Sequence, residues 1–600
     1  MPSSSYGRLE KKKEDPPPKE SGAILKILCS MPCLGFLLHV LIACIVLLLL
    51  PVVVGSASSS SGNGGNGGNG GNGGINSTNS TTNATNPMPF PPPSSPGPSP
   101  PPHPPAPPVQ PHTVKTNDNC NTHLTELECR TMASHLNYQI VVASSATWPS
   151  GCWSNPITSG VYYYNTNMSS TGTCQGDMYR HCICGLDNVW NKLGSDIDGE
   201  ASYDQSGRAL ALSADGKVLA VGAYGNDGPD GSTSYAGQIK VYEQSPSGAW
   251  TQRGASIYGE EANDRLGFSV AISGDGNVLV AGIYKDDTWV GTDSGSVKVY
   301  AWDTGTSAWV QRGSTLVGPQ AYEFFAWAVD ISHDGNTIAV GGYNHDGPTT
   351  TKSGHVQIFD WNSGTNAWVQ RGSDIDGTTD NERTGYGLRL RHDGNTIVVG
   401  APFHGAAGTD SGQTRIYDWD SSSGASGAWI MRGNVINGEN AGDSSGRSTA
   451  ISNDGNTVAI SGYLNDDKAN NAGHVRVFDW DSGTSAWVQR GADIDGEADG
   501  DTSGTCLDMD QTGNIVAIGA SANDGNGQNS GHVRVYKWDA NSGASGEWVQ
   551  QGEDIDGEAA SDASGVDVKM SADGRILAIG AFGNDANGAS SGHVRVYKLD

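Results

Sequence analysis

Six hundred residues exceed one ordinary core, and 84 glycines with only 16% charged residues point to a turn-rich repeat array. The formal net charge of −29 argues against nucleic acid, or an anionic membrane surface, as partner of the folded part, because both need clustered Lys and Arg. Cations and basic surfaces suit it better.

Residues 1–26 form a polar tail, and residues 27–55 begin a charge-free run whose most apolar part is Leu34 to Val54, long enough to span about 30 Å of hydrocarbon. Arg8, Lys11, Lys12, Lys13, Lys19 and Lys26 precede it, and no Lys or Arg follows until Lys115. This asymmetry predicts a single-pass cell-membrane protein with a cytoplasmic N-terminus and an extracellular C-terminal ectodomain. The competing reading is a cleaved signal peptide with "GSA" at Gly55 to Ala57, but the polar lead and the apolar run are both long for one.

Residues 56–114 read as a spacer. A Gly/Asn-rich flexible base leads through glycosylation sequons at Asn76, Asn79 and Asn83 into a proline-rich, polyproline II top. In composition the proline part is similar to the O-glycosylated stalks of algal and plant wall proteins. Residues 115–186 hold six cysteines, Cys120, Cys129, Cys152, Cys174, Cys182 and Cys184, and a sequon at Asn167. An even set in an extracellular segment reads as a disulfide framework with fifteen pairings open. "LTELECRTMASHL" suits one short helix and "GVYYYNTN" a strand. The module is read either as a stapled cap on the spacer or as a small lectin-like unit displaying Trp148, Trp153 and Tyr162 to Tyr164.

Residues 187–600 are a repeat. Trp190, Trp250, Trp309, Trp368, Trp429, Trp487 and Trp548 are spaced by 60, 59, 59, 61, 58 and 61 residues. Each interval holds four short apolar or alternating runs bounded by Asp-Gly, Asn-Asp or Ser-Gly turns, which predicts one four-stranded antiparallel sheet per unit. Such sheets must stack, and units of this kind stack radially into an all-β, seven-bladed propeller. Seven hairpin glycines (Gly216, Gly276, Gly335, Gly394, Gly455, Gly513, Gly574) are matched by only six Trp strands that follow a complete unit. "VWNKLG" at Val189 to Gly194 is therefore expected to supply the last blade's fourth strand and close the ring.

"LGFSVAISGDG" (Leu266 to Gly276) and "VGAP" (Val399 to Pro402), with the variants "VGAYGND", "IGASAND" and "IGAFGND", resemble FG-GAP repeats, the blades of the integrin alpha-subunit propeller. The resemblance implies the propeller fold and a ligand-binding role, with a second membrane subunit as a candidate partner. It also implies calcium loops between the first and second strands. Here those turns are only "SADGK", "SGDGN" or "SNDGN", too short and too poor in carboxylates for an ion that takes six to eight oxygens.

The face formed by the two-to-three and four-to-one loops carries the acids. An acid stands three residues before each opening glycine or its equivalent: Asp204, Asp264, Glu323, Glu382, Asp443, Asp501 and Asp562. Two readings compete. The acids cap the turn through backbone N–H groups, or Asp196, Asp198, Glu200 and Asp204 of "SDIDGEASYD" form a noncanonical calcium site, calcium being the one cofactor the residues admit. Blades two and three break the symmetry with "YKDDTWVGTD" and "VGPQAYEFFAWAV", so Trp289, Tyr322, Phe324 and Phe325 are the candidate ligand contacts. Trp327 aligns with Phe268 and Tyr386 and is read as partly core. His355, His474, His532 and His593 recur at one strand position and are expected on the surface. Cys506 aligns with small residues and is expected to be a buried free thiol.

No catalytic motif occurs. The leading expectation is recognition or adhesion, with an extracellular protein or glycan bound on the loop face. A structural wall or matrix component is the alternative. A channel enzyme built on Asp330, Arg389, Asp508 and Lys569 is the third.

Overall fold

The computed structural model describes residues 189–599 except residue 544, and the backbone of four short strands upstream. Those strands, Gln139–Ala143, Gly151–Ser154, Val161–Asn165 and His181–Cys182, form one sheet in the order first, third, second, fourth. Gln139–Ala143 runs parallel to Val161–Asn165, and the other pairings are antiparallel. The strand expected in "GVYYYNTN" is thus Val161–Asn165. The tail, the apolar segment, the stalk, all four sequons, the expected helix and the other four framework cysteines lie outside the described residues. Among the described residues no helix is long and apolar enough to cross a membrane.

Seven sheets form the ring. Blades 1 to 7 open with innermost strands Ser206–Leu212, Val270–Ile272, Phe325–Ile331, Gly387–Leu390, Ser445–Ile451, Cys506–Met509 and Asp567–Met570. Each blade then runs outward through three further antiparallel strands. The wholly apolar run of each unit is its second strand, and neighbouring blades cover both its faces; Val218–Ala223, Thr337–Gly342, Thr396–Ala401 and Thr457–Gly462 are buried throughout. A fifth, two-residue strand was not foreseen. The Ile-Asp of "DIDG" folds back onto the third strand, as Ile494–Asp495 does on Val475 and His474, and buries its isoleucine. The following glycine is obligatory, since a Cβ at Gly496 would lie 2.1 Å from the Ala472 carbonyl oxygen. Much of the repeated "DIDG" phrase therefore answers to packing.

Blade 7 is completed from the start of the propeller. Trp190–Lys192 pairs with Tyr597, Lys598 and Leu599, and Ile197–Asp198 pairs with Val594 and His593.

Three devices join the blades. All seven tryptophans that mark the repeat donate their indole N–H to the preceding blade's backbone, from Trp309 to Arg253 O at 2.9 Å round to Trp190 to Gln551 O at 3.0 Å. The arginine that follows the fourth strand, as in "WTQRG" and "WVQRG", reaches forward to the next hairpin: Arg253 donates to Gly276 O (2.8 Å) and Asn277 Oδ1 (2.6 Å), with its guanidinium 4.6 Å over the Trp302 ring. Arg312, Arg371, Arg432 and Arg490 repeat this. At the hairpin end of the channel, backbone N–H groups donate from blade to blade at six of the seven junctions, from Ala214 to Gly274 O (3.0 Å) round to Ala572 to Ala214 O (2.9 Å).

Candidate functional site

The seven recurring acids sit where the four-to-one loop enters the innermost strand, and each accepts a backbone N–H from the turn before it. Asp443 accepts Glu439 N at 3.0 Å and Asn440 N at 2.7 Å; Asp204, Asp264, Asp501 and Asp562 repeat the pair, and Glu323 and Glu382 each accept one. Asp443→Ala removes the buried carboxylate that ties down two amides of an exposed turn and is expected to cost about 1 kcal/mol in denaturant unfolding.

The proposed calcium acids do not converge. Asp196 pairs with Lys192 at 2.6 Å, Glu200 pairs with Lys240 at 2.6 Å, Asp204 is spent on its turn, and Asp198 lies on the closing short strand. A repeated phrase places its acids at equivalent points around the blade, and the nearest basic side chains take them up. The hairpin acids are committed as well, as where Asp275 accepts the Ser273 hydroxyl and Asn277 N.

The candidate contact residues separate. Trp289 is 89% exposed and Tyr322 56%, on loops tied together where Tyr322 N donates to Thr292 O at 2.7 Å. Phe324 is half-buried and stacks on Tyr343 at 5.6 Å and 13°. Phe325 is fully buried and packs beside the His355 ring, so it is no surface contact. It begins the innermost strand, whose side chains alternate between the channel and the blade interface.

The four histidines expected on the surface are buried, with His355 and His474 at 0% and His532 and His593 at 1% exposure. Neighbouring blades cover both faces of the third strand, so a residue that would be solvated on one sheet lies inside the stack. His355 is held between Glu323 (2.5 Å) and Asp374 (3.1 Å), with the His345 ring stacked on it at 3.9 Å. Against the cost of burial, those two carboxylates raise its pKa to about 9.

The main concave feature is the central channel, a cavity of about 430 Å³ lined from the loop face down to Ala214, Gly274 and His333 at the hairpin end. One residue per blade, in or just before the innermost strand, rims its loop-face mouth: Arg208, Phe268, Trp327, Tyr386, Arg447, Thr505 and Val566. Outside this rim stands a second ring, one or two residues beyond the second strands, including Tyr224, Tyr284, Tyr343, Phe403 and Tyr463. Between the rings the residue after each capping acid takes a left-handed backbone without being glycine, as at Arg265 (φ 57°), Phe324 (φ 56°) and Arg383 (φ 57°). On blades 1 to 5 the rings fuse into one aromatic surface. Trp327 touches Phe268 at 4.6 Å, Tyr343 at 4.6 Å and Tyr386 at 5.1 Å. Arginines lie over it: Arg208 on Phe268 (4.8 Å), Arg265 on Tyr224 (5.5 Å), Arg383 on Phe403 (5.1 Å) and Arg447 on Tyr463 (4.4 Å). Among the described residues none of these four arginines has a carboxylate ion-pair partner. Trp327 is thus rim rather than core, with its half-buried ring facing the channel.

Deeper in the channel the charged groups are paired. Arg389 meets Asp508, Lys569 meets Asp567, and Asp330, Asp508 and Asp567 each accept a backbone N–H from the neighbouring blade at 2.7 Å. Cys506 is a free, half-buried thiol; burial and Asp567, 2.9 Å away, push its pKa up to about 11. This arrangement joins strands and offers neither a free base nor an activated nucleophile.

A radial array of seven four-stranded blades closed by its own N-terminal strand defines a seven-bladed β-propeller. Residues 259–300, from the end of the first unit into the third strand of blade 2 (Ser296–Asp303), match the FG-GAP repeat family. The chain thus carries an FG-GAP repeat in a propeller consistent with that of integrin alpha subunits. No curated protein matches the sequence.

Proposed function

We propose that the propeller is an extracellular recognition module, and that it binds an anionic protein or glycan at the loop-face mouth of blades 1 to 5. One observation carries this reading: four arginines lean on a continuous aromatic surface without carboxylate partners, in a chain of net charge −29. Flat rings supply stacking area at little entropic cost, and partly desolvated guanidinium groups bind carboxylates or sulfates bidentately. The mouth is also asymmetric, since Thr505 and Val566 stand on the rim of blades 6 and 7 where blades 1 to 5 place rings or arginines, and the outer ring, which blade 7 continues with Phe582, is broken at Ser521 of blade 6. Structural residues recur in all seven units, whereas a ligand contact has no reason to. The adhesion role at a cell surface belongs to the same proposal and rests on the charge asymmetry around residues 27–55.

The test is binding of residues 115–600 to arrays of acidic and neutral extracellular glycans and wall proteins, with calcium and with chelator. Saturable binding that weakens with salt is expected, and Trp327→Ala or Arg447→Ala should reduce affinity about thirtyfold, the loss of a hot-spot residue of about 2 kcal/mol. Folded protein that binds nothing in either condition would favour the structural wall or matrix reading.

A further inference from the structure

We propose a divalent transition-metal site at the junction of blades 4 and 5, formed by Glu439, Asp467, His474 and Asp493. One candidate donor atom from each lies within 4.8 Å of all the others. Four donors at about 2.1 Å from an ion stand about 3.4 Å apart in a tetrahedron and up to about 4.2 Å in an octahedron, so small rotations of Glu439 and Asp467, both exposed, would close the set. The four come from separate elements. Glu439 follows the short strand Ile436–Asn437 of blade 4, and Asp467 lies on the two-to-three loop of blade 5. His474 opens the third strand of blade 5, and Asp493 precedes its short strand Ile494–Asp495.

Two observations set this cluster apart from a solvated acidic patch. His474 has 0% exposure; its Nε2 has no hydrogen-bond partner, and its Nδ1, with only a long contact, is aimed between Asp493 Oδ2 (3.4 Å) and Glu439 Oε2 (3.8 Å). A buried imidazole so poorly partnered is costly, and a metal ion would satisfy Nδ1. Glu439 and Asp493 each have one oxygen already held, as metal-ligating carboxylates usually do, while Asp467 accepts a long amide hydrogen bond at each oxygen, one of which a metal would displace. Arg476 lies 3.3 Å from Glu439 Oε1, Gln489 donates to Asp493 Oδ1 at 2.5 Å, and Asn440 and Asn465 donate to Asp467 at 3.3 and 3.2 Å.

The symmetry of the ring supplies a control. Blades 6 and 7 repeat the histidine and two of its acids, as Glu497, His532 and Asp554 and as Glu558, His593 and Asp196. There Gly525 and Ala586 stand where blade 5 has Asp467, and Gly347 does so in blade 3. The recurring trio serves the blade junction, and only blade 5 adds the fourth ligand. It also adds charge: among the described residues the lysine and arginine beside Glu439, Asp467, Asp493 and the nearby Asp495 are Arg476 and Lys468. One imidazole with three carboxylates is a donor set for Zn²⁺ or Mn²⁺ rather than for Ca²⁺, which takes oxygen throughout, and Zn²⁺ should bind the more tightly.

The experiment titrates the chelator-treated full-length chain with zinc, manganese and calcium, reading bound metal by equilibrium dialysis and the melting temperature in parallel. One zinc per chain and a raised melting temperature are expected. Asp467→Gly, the residue blade 6 uses, should weaken zinc at least tenfold and leave the metal-free melting temperature unchanged. Glu497→Gln, in the incomplete blade 6 trio, should leave zinc affinity unchanged. Three results overturn the site: no zinc or manganese uptake, calcium binding more tightly than either, or equal sensitivity of zinc affinity to both substitutions.

Discussion

Removing residues 189–198 is expected to abolish the single cooperative unfolding transition of the propeller or to lower its melting temperature by at least about 10 °C. The segment supplies the ladder to Tyr597, Lys598 and Leu599 and the indole bond from Trp190 to Gln551 O. It also provides the Leu193 carbonyl that receives the Trp250 indole N–H, and Ile197, which packs with Leu210, Leu219, Val221 and Val594. Burial of one isoleucine contributes about 2 kcal/mol and each lost hydrogen bond about 1 kcal/mol, so the sum approaches the whole stability of an ordinary domain. The seam is also the least reinforced part of the ring. Where five junctions carry the forward-reaching arginine, the junction from blade 6 to 7 has Gln551 and the junction from blade 7 to 1 has Leu193. Deletion bares the third strand of blade 7 as an unpaired edge, so dimers should appear by light scattering. Moving the same segment behind residue 599 should restore monomer and melting temperature. An unchanged transition after deletion would refute closure by this strand.

Much of the fold was legible because repetition shows register directly. Seven tryptophans at nearly constant spacing fix the blade number, and the orphan "VWNKLG" can have no other partner than the unit lacking a fourth strand. What the sequence hid was radial direction. "GHVRVY" alternates like a strand with one wet face, which put His355, His474, His532 and His593 on the surface; stacking of blades makes both faces interior. The alignment of Trp327 with Phe268 and Tyr386 likewise read as core, because one unit does not reveal that this position rims a channel. The signal was present in the full column, where Arg208, Phe268, Trp327, Tyr386 and Arg447 give way to Thr505 and Val566. No core position would mix arginine with aromatics in that way. The acids of "DIDGE" misled for the opposite reason, since their spacing suggests a shared ion while their strand carries them apart to Lys192, Lys240 and the turn amides.

Two buried histidines should give the propeller a stability maximum near pH 6.5, with a separable cause for each limb. His355 has a folded pKa of about 9, above the ordinary value near 6.5, because Glu323 and Asp374 outweigh burial. Its contribution is complete below pH 6.5 and is lost as pH rises through 9. His532 goes the other way: burial, aided by Arg534, pushes it down to about 4. Its contribution is complete above pH 6.5 and is lost as pH falls toward 4, when the unfolded chain binds a proton that the folded one refuses. Each limb amounts to a few kcal/mol. Asp264, pushed up to about 6 by burial, opposes the acid limb, so the limbs are best read as differences between variants and parent. For His355→Asn, unfolding from pH 5 to 10 should show a deficit of several kcal/mol below pH 6.5, because Glu323 at 0% exposure is left without its cation, and the deficit should shrink through pH 9. For His532→Asn the acid limb between pH 6.5 and 4 should flatten in part, since burial and Arg595 lower His593 in the same direction, while the alkaline limb persists. A deficit for His355→Asn that is constant with pH would mean that the ring is neutral and serves packing alone.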